Sequence, residues 1–388
     1  MPTNLPNIIF VSLEDWDDVW RRNQFLCAGL ARRYPSSKIL FVGLPRNVSH
    51  RLRRGDLSVL QSDAVKAVPG YPNISVLHPL KLFPNTLTLG RRLNEWIARR
   101  QIAQAAAKLG LNKSILWLNP HSAVHMAGRM GESAVIYDIT DDWISPAQSE
   151  RLRRLITAQD KELCRKADAV IVCSPKLFAM KRPLAENLFE VANGAETEHY
   201  CRVLSAEPAA DAAAHWPHPV FGYTGTIHPE RVDVELVLTL ARSVPGGTVA
   251  LVGPDLLTPA DRARLDAAGN VVRTGPVPYR LLPDYMRAFD VCITPHCRSE
   301  FTESLNPIKL WEYLASGKPI VSTDIAGFRE FPQLVALASD PEYFVAACRT
   351  ALQEPSSAAA ARLEEAKKHT WDTRIDAVVS ILSRTGAK

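Results

Sequence analysis

The chain has 388 residues, of which 46% are hydrophobic and 22% charged, and its formal net charge is +5. This composition is typical of a packed globular protein and excludes fibrous and disordered chains. No stretch reaches the ~18–20 apolar residues of a membrane-spanning helix, and the first apolar run, Ile8–Leu13, is too short for a signal-peptide core. Seven scattered cysteines without a Cys-x-x-Cys pair indicate neither a disulfide scaffold nor a zinc site. We therefore expect a cytoplasmic protein that is neither secreted nor membrane-spanning.

The charge is unevenly distributed along the chain. Residues 1–110 hold 16 Lys and Arg against seven Asp and Glu, a net charge of +9, so that the remainder carries −4. This asymmetry predicts an anionic partner for the N-terminal half, either a phosphate-bearing substrate or an anionic membrane surface. Solvated helix and loop faces would explain the charge equally well. Few aromatic residues are interleaved with these basic residues and no nucleic-acid motif is recognised, which argues against nucleic acid. The excess is carried by Arg32, Arg33, Lys38, Arg46, Arg51, Arg53, Arg54, Arg91, Arg92, Arg99 and Arg100.

In the N-terminal half, short continuous apolar runs alternate with segments of helical spacing. The predicted strands are Ile8–Leu13, Lys38–Leu44, Ile74–Leu80, Ser114–Asn119, Ala134–Ile139 and Ala169–Ser174. The predicted helices are Trp20–Tyr34, Arg91–Leu109 and Glu150–Lys166. Continuous hydrophobic strands separated by helices predict a parallel sheet that is covered on both faces.

An Ala- and Pro-rich stretch interrupts the alternation, and we predict that residues 206–218 are a linker. The alternation then resumes. The predicted strands are Val220–Thr224, Thr248–Val252, Val271–Thr274, Val291–Pro295, Pro319–Thr323 and Leu334–Ala338. The predicted helices are Val234–Ser243, Pro259–Ala268, Leu281–Ala288, Pro307–Ala315, Pro341–Gln353 and Thr373–Leu382. Gly317 fits the left-handed position that ends a helix.

These patterns predict an α/β protein with two doubly wound, Rossmann-like domains that face a cleft. The N-terminal domain comprises residues 1–205 and is completed by residues 370–388, because the C-terminal helix is predicted to cross back to it. The C-terminal domain comprises residues 219–369.

The densest chemistry lies in the helix predicted at Pro307–Ala315. Lys309 and Glu312 are three residues apart and share one helix face. A helix N-terminus is suited to phosphate, and Lys309 would add a positive charge there. Glu312, one turn further on, could accept hydrogen bonds from two ribose hydroxyls. A surface ion pair between the two side chains is the alternative.

Several segments resemble the GT-B glycosyltransferases of family four. They are PIKLWEYLASGKPIVSTD, GPVPYRLLPDYMRAFDVCITP, FGYTGTIHPERVDVELV, AVIYDITDDW, RKADAVIVCSPKLFAMK and HTWDTRIDAVVSIL. The resemblance touches most of the chain in order. It implies a GT-B fold and sugar transfer with retention of configuration, with a nucleotide sugar as substrate and no cofactor or essential metal. It also implies that the second domain binds the donor and the first domain the acceptor.

The resemblance assigns donor-binding roles to individual residues. Glu312 matches the second Glu of the Glu-x7-Glu motif, which is associated with the ribose, and Lys309 would contact the diphosphate. The first Glu of the motif falls at Ser304, so contact with the donor sugar is assigned to Glu303 or Asn306. Many members have Gly-Arg and then Lys after the first strand of the second domain. Here the Gly-Arg pair is replaced by Gly225 and Thr226, and Arg231 stands one residue away from the position of the Lys. Arg231 could restore one lost positive charge there, and a solvent-exposed turn residue is the alternative.

Acceptor-side candidates follow strand ends of the first domain. Asp138 stands near the position of a family His that interacts with the donor sugar, and it is the predicted catalytic residue. Trp16, Arg21 and Asp142 are the acceptor-side candidates, because aromatic rings and planar cations suit a sugar face or a phosphate. Core packing by the aromatic residues and helix capping by Asp142 are the alternatives.

The sequence thus predicts a retaining glycosyltransferase of polysaccharide or glycolipid biosynthesis, with a sugar, lipid-linked or other anionic acceptor. Its place would be the cytoplasm, including peripheral contact with the anionic inner face of the membrane. Two alternatives stay open, the second of them because Ser304 and Thr226 depart from the family pattern. One is a non-hydrolysing nucleotide-sugar epimerase of the same architecture, and the other is a nucleotide-sugar-binding protein without transfer activity.

Overall fold

A computed structural model describes residues 5–48, 65–85, 88–144 and 148–385. Three of the basic residues that make the N-terminal half positive, Arg51, Arg53 and Arg54, lie outside the described residues. Contacts between residues divide the chain into two compact units. The first unit comprises Met1–Ala192 together with Arg374–Lys388, and the second comprises Asn193–Thr373.

The first unit is built on an eight-stranded sheet. Its strands are β1 (Ile8–Val11), β2 (Ile39–Val42), β4 (Lys66–Val68), β5 (Tyr71–Leu77), β7 (Ile115–Leu118), β8 (Ala134–Ile139), β9 (Ala169–Val172) and β10 (Leu188–Glu190); β3 (Arg46–Asn47) and β6 (Leu80–Lys81) form a separate pair. The order across the sheet is β10-β9-β8-β7-β1-β2-β5-β4, and only β4 is antiparallel to its neighbour. The central strands read IIFV, ILFV and ILWL and are buried, as parallel strands covered on both faces require.

Helices cover this sheet: α1 (Arg22–Arg33), α2 (Thr88–Leu109), α3 (Glu150–Lys166) and α4 (Pro175–Lys181). Ser149 and Ser174 cap the last two, each accepting a hydrogen bond from a backbone N–H of the first turn. The last helix of the chain, α12 (Trp371–Arg384), groups with the first unit from Arg374 onward. None of the helices in the described residues combines the length and apolarity needed to span a bilayer.

The second unit has a six-stranded, all-parallel sheet in the order β13-β12-β11-β14-β15-β16. The strands are β11 (Val220–Thr224), β12 (Thr248–Val252), β13 (Val271–Arg273), β14 (Val291–Thr294), β15 (Ile320–Thr323) and β16 (Ala336–Ala338). The helices are α5 (Thr197–Cys201), α6 (Val234–Ser243), α7 (Pro259–Ala267), α8 (Leu282–Met286), α9 (Ile308–Ser316), α10 (Pro341–Ala351) and α11 (Ala358–Lys368). Gly317 ends α9 at φ +69°, which confirms its predicted left-handed conformation.

The segment interpreted as a linker, residues 206–218, packs on the second unit instead. The Ala210 N–H donates to the carbonyl oxygen of Asp284, and the Trp216 ring lies 6.2 Å from that of Tyr285. Both Ala213 and Trp216 are buried. Residues 193–205, assigned to the first domain from the sequence, also group with the second unit. Residues 206–218 pack on the second unit because the small side chains of this Ala-rich stretch fit against a neighbouring surface.

In each sheet the chain first adds strands on one side of a central strand and then adds the following strands on its other side. In the second sheet this switch lies at β11, between β12 and β14, and in the first sheet it lies between β1 and β7. Ligands of open α/β sheets bind beyond the carboxyl ends of the strands at such a point. The two switch points are therefore the places to look for a functional site.

Candidate functional site: a cationic pocket in the second unit and an apolar cavity in the first

Gly225 begins the loop that follows β11 at the switch point of the second sheet. Its φ of +125° is one that residues with side chains rarely adopt. A Cβ at this position would lie 3.3 Å from Nζ of Lys309, so the loop backbone passes directly beside the ammonium group. The structure thus brings together two of the residues that the sequence predicted for the diphosphate.

Lys309 lies in the first turn of α9, with its ammonium 5.1 Å from the centre of the Tyr223 ring. Within the described part of the chain, no carboxylate lies at ion-pairing distance from it. Burial is the main cause that lowers the pKa of Lys309 to about 8, and the charge of Arg231 lowers it further, while Glu312 opposes the shift. A desolvated cation without an acidic partner, at a helix N-terminus, is suited to an anion.

Arg231 supplies the second positive charge of this pocket. Its guanidinium stacks 5.1 Å from the centre of the Phe301 ring, and its charge acts on both Lys309 and His296. Thr226, by contrast, takes part through its backbone, because its carbonyl oxygen accepts a hydrogen bond from the Tyr223 hydroxyl at 3.2 Å. Although Arg231 stands one residue away from the position of the family's Lys, it is therefore close enough for its charge to act on Lys309.

His296 was not assigned a role from the sequence, although the structure places it behind the pocket. The side chain is 1% exposed, and its Nε2 lies 3.3 Å from the Tyr223 hydroxyl. Burial and the charges of Lys309 and Arg231 hold the pKa of His296 well below its usual value, so the ring is neutral near pH 7. Its position after β14 was the only signal in the sequence.

Glu312 lies one turn beyond Lys309 and is half-buried. The hydroxyl of the buried Tyr200 donates to its Oε1 at 2.7 Å, and no hydrogen bond to Oε2 forms among the described residues. Burial raises the pKa of Glu312, whereas the bond from Tyr200 and the charge of Lys309 act in the opposite direction. Tyr200 thus orients the carboxylate and leaves one oxygen for a further donor.

The two residues assigned to the donor sugar are engaged elsewhere. Arg329 binds both oxygens of Glu303, with Nη1–Oε2 at 3.1 Å and Nη2–Oε1 at 3.0 Å. The side-chain oxygen of Asn306 accepts from the backbone N–H of Asn193 at 2.8 Å. Ser304, the position of the missing Glu, is fully buried. In this structure Glu303 and Asn306 therefore stabilise loops and do not present free acceptors to a ligand.

In the first unit, Asp138 lies in the interior and is paired with Arg22. The side chain is 0% exposed, and Arg22, itself 3% exposed, binds both oxygens, with Nε–Oδ2 at 3.2 Å and Nη2–Oδ1 at 3.1 Å. A carboxylate in the interior is stable only when a cation and hydrogen bonds satisfy it. Asp138 therefore holds α1 against β8, and no oxygen of this carboxylate faces solvent.

A direct consequence is that Asp138→Ala should destabilise the first unit by about 3–5 kcal/mol, because it leaves the buried Arg22 unpaired. Thermal unfolding measured by calorimetry would show a lower midpoint. Asp142→Ala is the matched control, since among the described residues its carboxylate accepts a single 3.2 Å hydrogen bond, from the Ile144 N–H. An Asp138→Ala variant with normal stability and no activity would support the catalytic assignment.

The acceptor-side candidates also make local contacts. The Trp16 ring packs 5.1 Å from that of Phe41 and 6.1 Å from that of Tyr71. Arg21 pairs with Asp17 at 3.3 Å.

What the sequence did not reveal is an apolar cavity of about 370 Å³ at the switch point of the first sheet. The cavity wall is formed by residues at the carboxyl ends of β1 and β7 and by residues of α2 and α3 that face them. A few polar groups stand among the apolar ones, including His121, which is hydrogen-bonded to Gln159 at 3.0 Å. Burial lowers the pKa of His121, so this part of the wall is uncharged near pH 7. The volume lies in the range of small-molecule sites.

Comparison with known proteins fits this arrangement. Residues 218–354, which contain the cationic pocket, match the sequence model of glycosyl transferases group 1. The chain is 30% identical over 234 residues to a protein of Bacillus subtilis (strain 168) named as the teichuronic acid biosynthesis glycosyltransferase TuaH. That alignment covers 56% of this chain and 58% of the relative, which is less than two thirds of the relative's length.

Solved structures match over nearly the whole chain. Sucrose-phosphate synthase from Thermosynechococcus elongatus superposes with a TM-score of 0.72 at 16% identity and covers 98% of both chains. Anabaena HepE in complex with UDP-glucose gives a TM-score of 0.67 at 17% identity, covering 97% of this chain and 99% of HepE. At such identities the likeness concerns the fold, and the chain has the GT-B fold of two Rossmann-like units.

The described residues contain no group of three or more His, Cys, Asp or Glu side chains arranged to hold a metal ion. In the second unit the positive groups around a ligand would be Lys309, Arg231 and the N-terminus of α9.

Proposed function

We propose that this protein is a retaining glycosyltransferase. It would move a sugar from a nucleoside diphosphate donor, bound by the second unit, to an acceptor hydroxyl in polysaccharide or glycolipid biosynthesis. The observation that carries the proposal is the ammonium of Lys309, which lies beside the Gly225 backbone at a topological switch point and has no carboxylate at ion-pairing distance among the described residues. The relative named as a teichuronic acid biosynthesis glycosyltransferase and the neighbour solved with UDP-glucose support it.

In this proposal the diphosphate lies at the N-terminus of α9. The Gly225 backbone, Lys309 and Arg231 surround its oxygens, and a hydroxyl of the ribose donates to the open Oε2 of Glu312. Breakage of the sugar–phosphate bond leaves negative charge on the departing nucleoside diphosphate. Fixed positive groups that already face this charge lower the barrier most, because they need no reorganisation during the reaction. The chemistry therefore requires no metal ion.

Retention follows when the acceptor oxygen approaches from the face that the phosphate leaves. The bond between the anomeric carbon and the phosphate oxygen breaks, and a bond from that carbon to the acceptor oxygen forms. The acceptor proton passes to an oxygen of the departing diphosphate, so no protein carboxylate has to act as the base. This route is compatible with the buried position of Asp138 in its ion pair with Arg22.

For the acceptor, we propose a sugar that is lipid-linked or otherwise anionic, handled by the first unit in the cytoplasm at the inner face of the membrane. The net charge of +9 over residues 1–110 supports an anionic partner. The apolar cavity at the switch point of the first sheet offers room for an uncharged part of such a molecule. Charged side chains also line this cavity beside the apolar ones, namely Lys81, Arg91 and Glu95.

The pH dependence of kcat/KM for the donor should reflect the protonation state of Lys309. The ammonium is charged below its pKa of about 8 and loses the charge as the pH rises through that value. We therefore expect kcat/KM for the donor to fall above about pH 8. In Lys309→Arg the decline should move to higher pH, since the guanidinium stays charged. An alkaline decline that is the same in both proteins would contradict this assignment.

The proposed activity is tested with a panel of labelled nucleotide sugars. Thermal-shift measurements select the donor, and product analysis follows in a buffer that contains EDTA, with sugar phosphates and lipid-linked sugars as acceptors. Transfer of the label with retained configuration supports the proposal. Formation of an epimer without transfer would favour the epimerase, and binding without any product would favour the inactive binding protein.

A further inference from the structure

Helix α2 exposes large apolar side chains to solvent, whereas a helix that packs only on its own protein buries them. Its buried positions hold mainly small or polar residues, whereas Leu89, Leu93 and Trp96 are 71%, 38% and 51% exposed. The spacing of these three residues places them on one face of the helix. A helix normally turns its large apolar side chains toward the core, so this face is built for contact with something outside the chain.

Two further apolar side chains stand beside the first turns of α2. Leu82 and Phe83 are 41% and 40% exposed. The side chain of Asn94, on the inner face of the helix, accepts from the backbone N–H of Leu82 at 3.0 Å and from that of Phe83 at 3.1 Å. Asn94 also donates to the Phe83 carbonyl oxygen at 2.8 Å. The segment is therefore held against the helix, and we call Leu82, Phe83, Leu89, Leu93 and Trp96 the apolar face.

The surroundings of the apolar face are positively charged. Arg92 and Arg100 are exposed on the same side of the helix, and the Arg100 guanidinium stacks 5.5 Å from the centre of the Trp96 ring. The helix holds five Lys and Arg but a single acidic residue, Glu95, which pairs with Arg91 at 3.6 Å. Apolar and cationic groups thus alternate over a helix that is about 33 Å long.

We propose that the apolar face of α2 is a membrane-docking surface that binds an anionic lipid bilayer. Leucine and tryptophan side chains on one face of a helix enter the boundary between headgroups and acyl chains. Arginine side chains extend from the same level to anionic phosphates. A second copy of the chain is a poorer partner, because two such faces would oppose Arg92 and Arg100 to one another. The purpose of the docking rests on the proposed glycosyltransferase function, but its measurement needs no substrate.

The test is flotation of the full-length protein with vesicles of phosphatidylcholine alone or mixed with phosphatidylglycerol. We expect binding to the mixed vesicles only, and weaker binding as salt is added. The triple variant Leu89→Ser, Leu93→Ser, Trp96→Ser should lose at least about tenfold in the lipid partition coefficient. The matched control is Leu256→Ser with Tyr343→Ser, which removes side chains that are 56% and 67% exposed in the second unit. Because all five positions are exposed, both variants should unfold at the wild-type temperature.

Equal flotation of the triple variant and the wild type, or no binding to anionic vesicles, would overturn the proposal. Concentration-dependent dimerisation that the triple variant abolishes, without vesicle binding, would instead identify the surface as a contact between copies of the chain. A failure of either kind leaves the proposed transfer reaction untouched, since that reaction is scored by its own product.

Discussion

Replacing Lys309 by Ala should lower the rate of nucleoside diphosphate release from the donor by about 10²–10³-fold, the effect of removing one fixed group that faces developing charge. Lys309 is the cation nearest to the Gly225 loop and has no acidic partner within the described residues. Without Lys309, the negative charge that develops on the departing diphosphate would therefore lose the main positive charge that stabilises it. Steady-state release of the nucleoside diphosphate at saturating donor measures the effect.

Stability separates this effect from simple misfolding. Removing a desolvated ammonium that is repelled by Arg231 should leave the unfolding temperature unchanged or slightly higher, because an active site retains groups that are unfavourable for folding. Lys318→Ala is the matched control, since this lysine follows α9 and its ammonium donates to the Arg287 carbonyl oxygen at 3.2 Å. If Lys309→Ala keeps full activity, the diphosphate does not bind in this pocket.

Glu312→Ala should weaken binding of the nucleotide by about 10–100-fold. The carboxylate is proposed to accept, at Oε2, a charge-assisted hydrogen bond from the ribose that is worth about 1.5–3 kcal/mol. Calorimetric titration with the nucleoside diphosphate measures the loss. Because the charge of Glu312 opposes the lowering of the Lys309 pKa, the neutral variant Glu312→Gln should also move the alkaline decline of kcat/KM to lower pH.

Tyr200→Phe distinguishes orientation of the carboxylate from direct contact. It removes the 2.7 Å hydrogen bond to Oε1 and leaves the carboxylate in place. Because Tyr200 would act on the nucleotide only through the carboxylate that it orients, the expected loss of affinity is smaller than in Glu312→Ala. If Tyr200→Phe and Glu312→Gln both bind the nucleotide like the wild type, the ribose site lies elsewhere.

The elements that set the fold were predictable because their apolar patterns are local. The runs at β1, β7 and β11 mark strands, and the periodicity of Glu150–Lys166 and Val234–Ser243 predicted those helices with the bounds observed. Helix α11 was not predicted, since AAAARLEEAKK has no stripe of large apolar residues. Its Arg362 instead binds the carbonyl oxygens of Leu334 and Gly317, which are distant in sequence.

The same distinction applies to the candidate site. Lys309 and Glu312 share one helix, so their proximity followed from spacing alone. Arg22 and Asp138 are 116 positions apart, and Tyr200 and Glu312 are 112 apart, so only the tertiary structure could reveal these pairs. For this reason the burial of Asp138 in its ion pair with Arg22 could not be predicted from the sequence. The apolar cavity escaped notice because its wall is assembled from separate strands and helices.

The central claim is that the pocket formed by Gly225, Lys309, Arg231 and Glu312 holds a nucleoside diphosphate. Isothermal titration calorimetry of the wild-type protein with UDP, GDP, ADP and TDP tests it most directly. We predict that at least one of them binds with one site per chain and that Lys309→Ala abolishes this binding. A folded wild-type protein that binds none of the four, or a Lys309→Ala variant that binds as tightly as the wild type, would contradict the account.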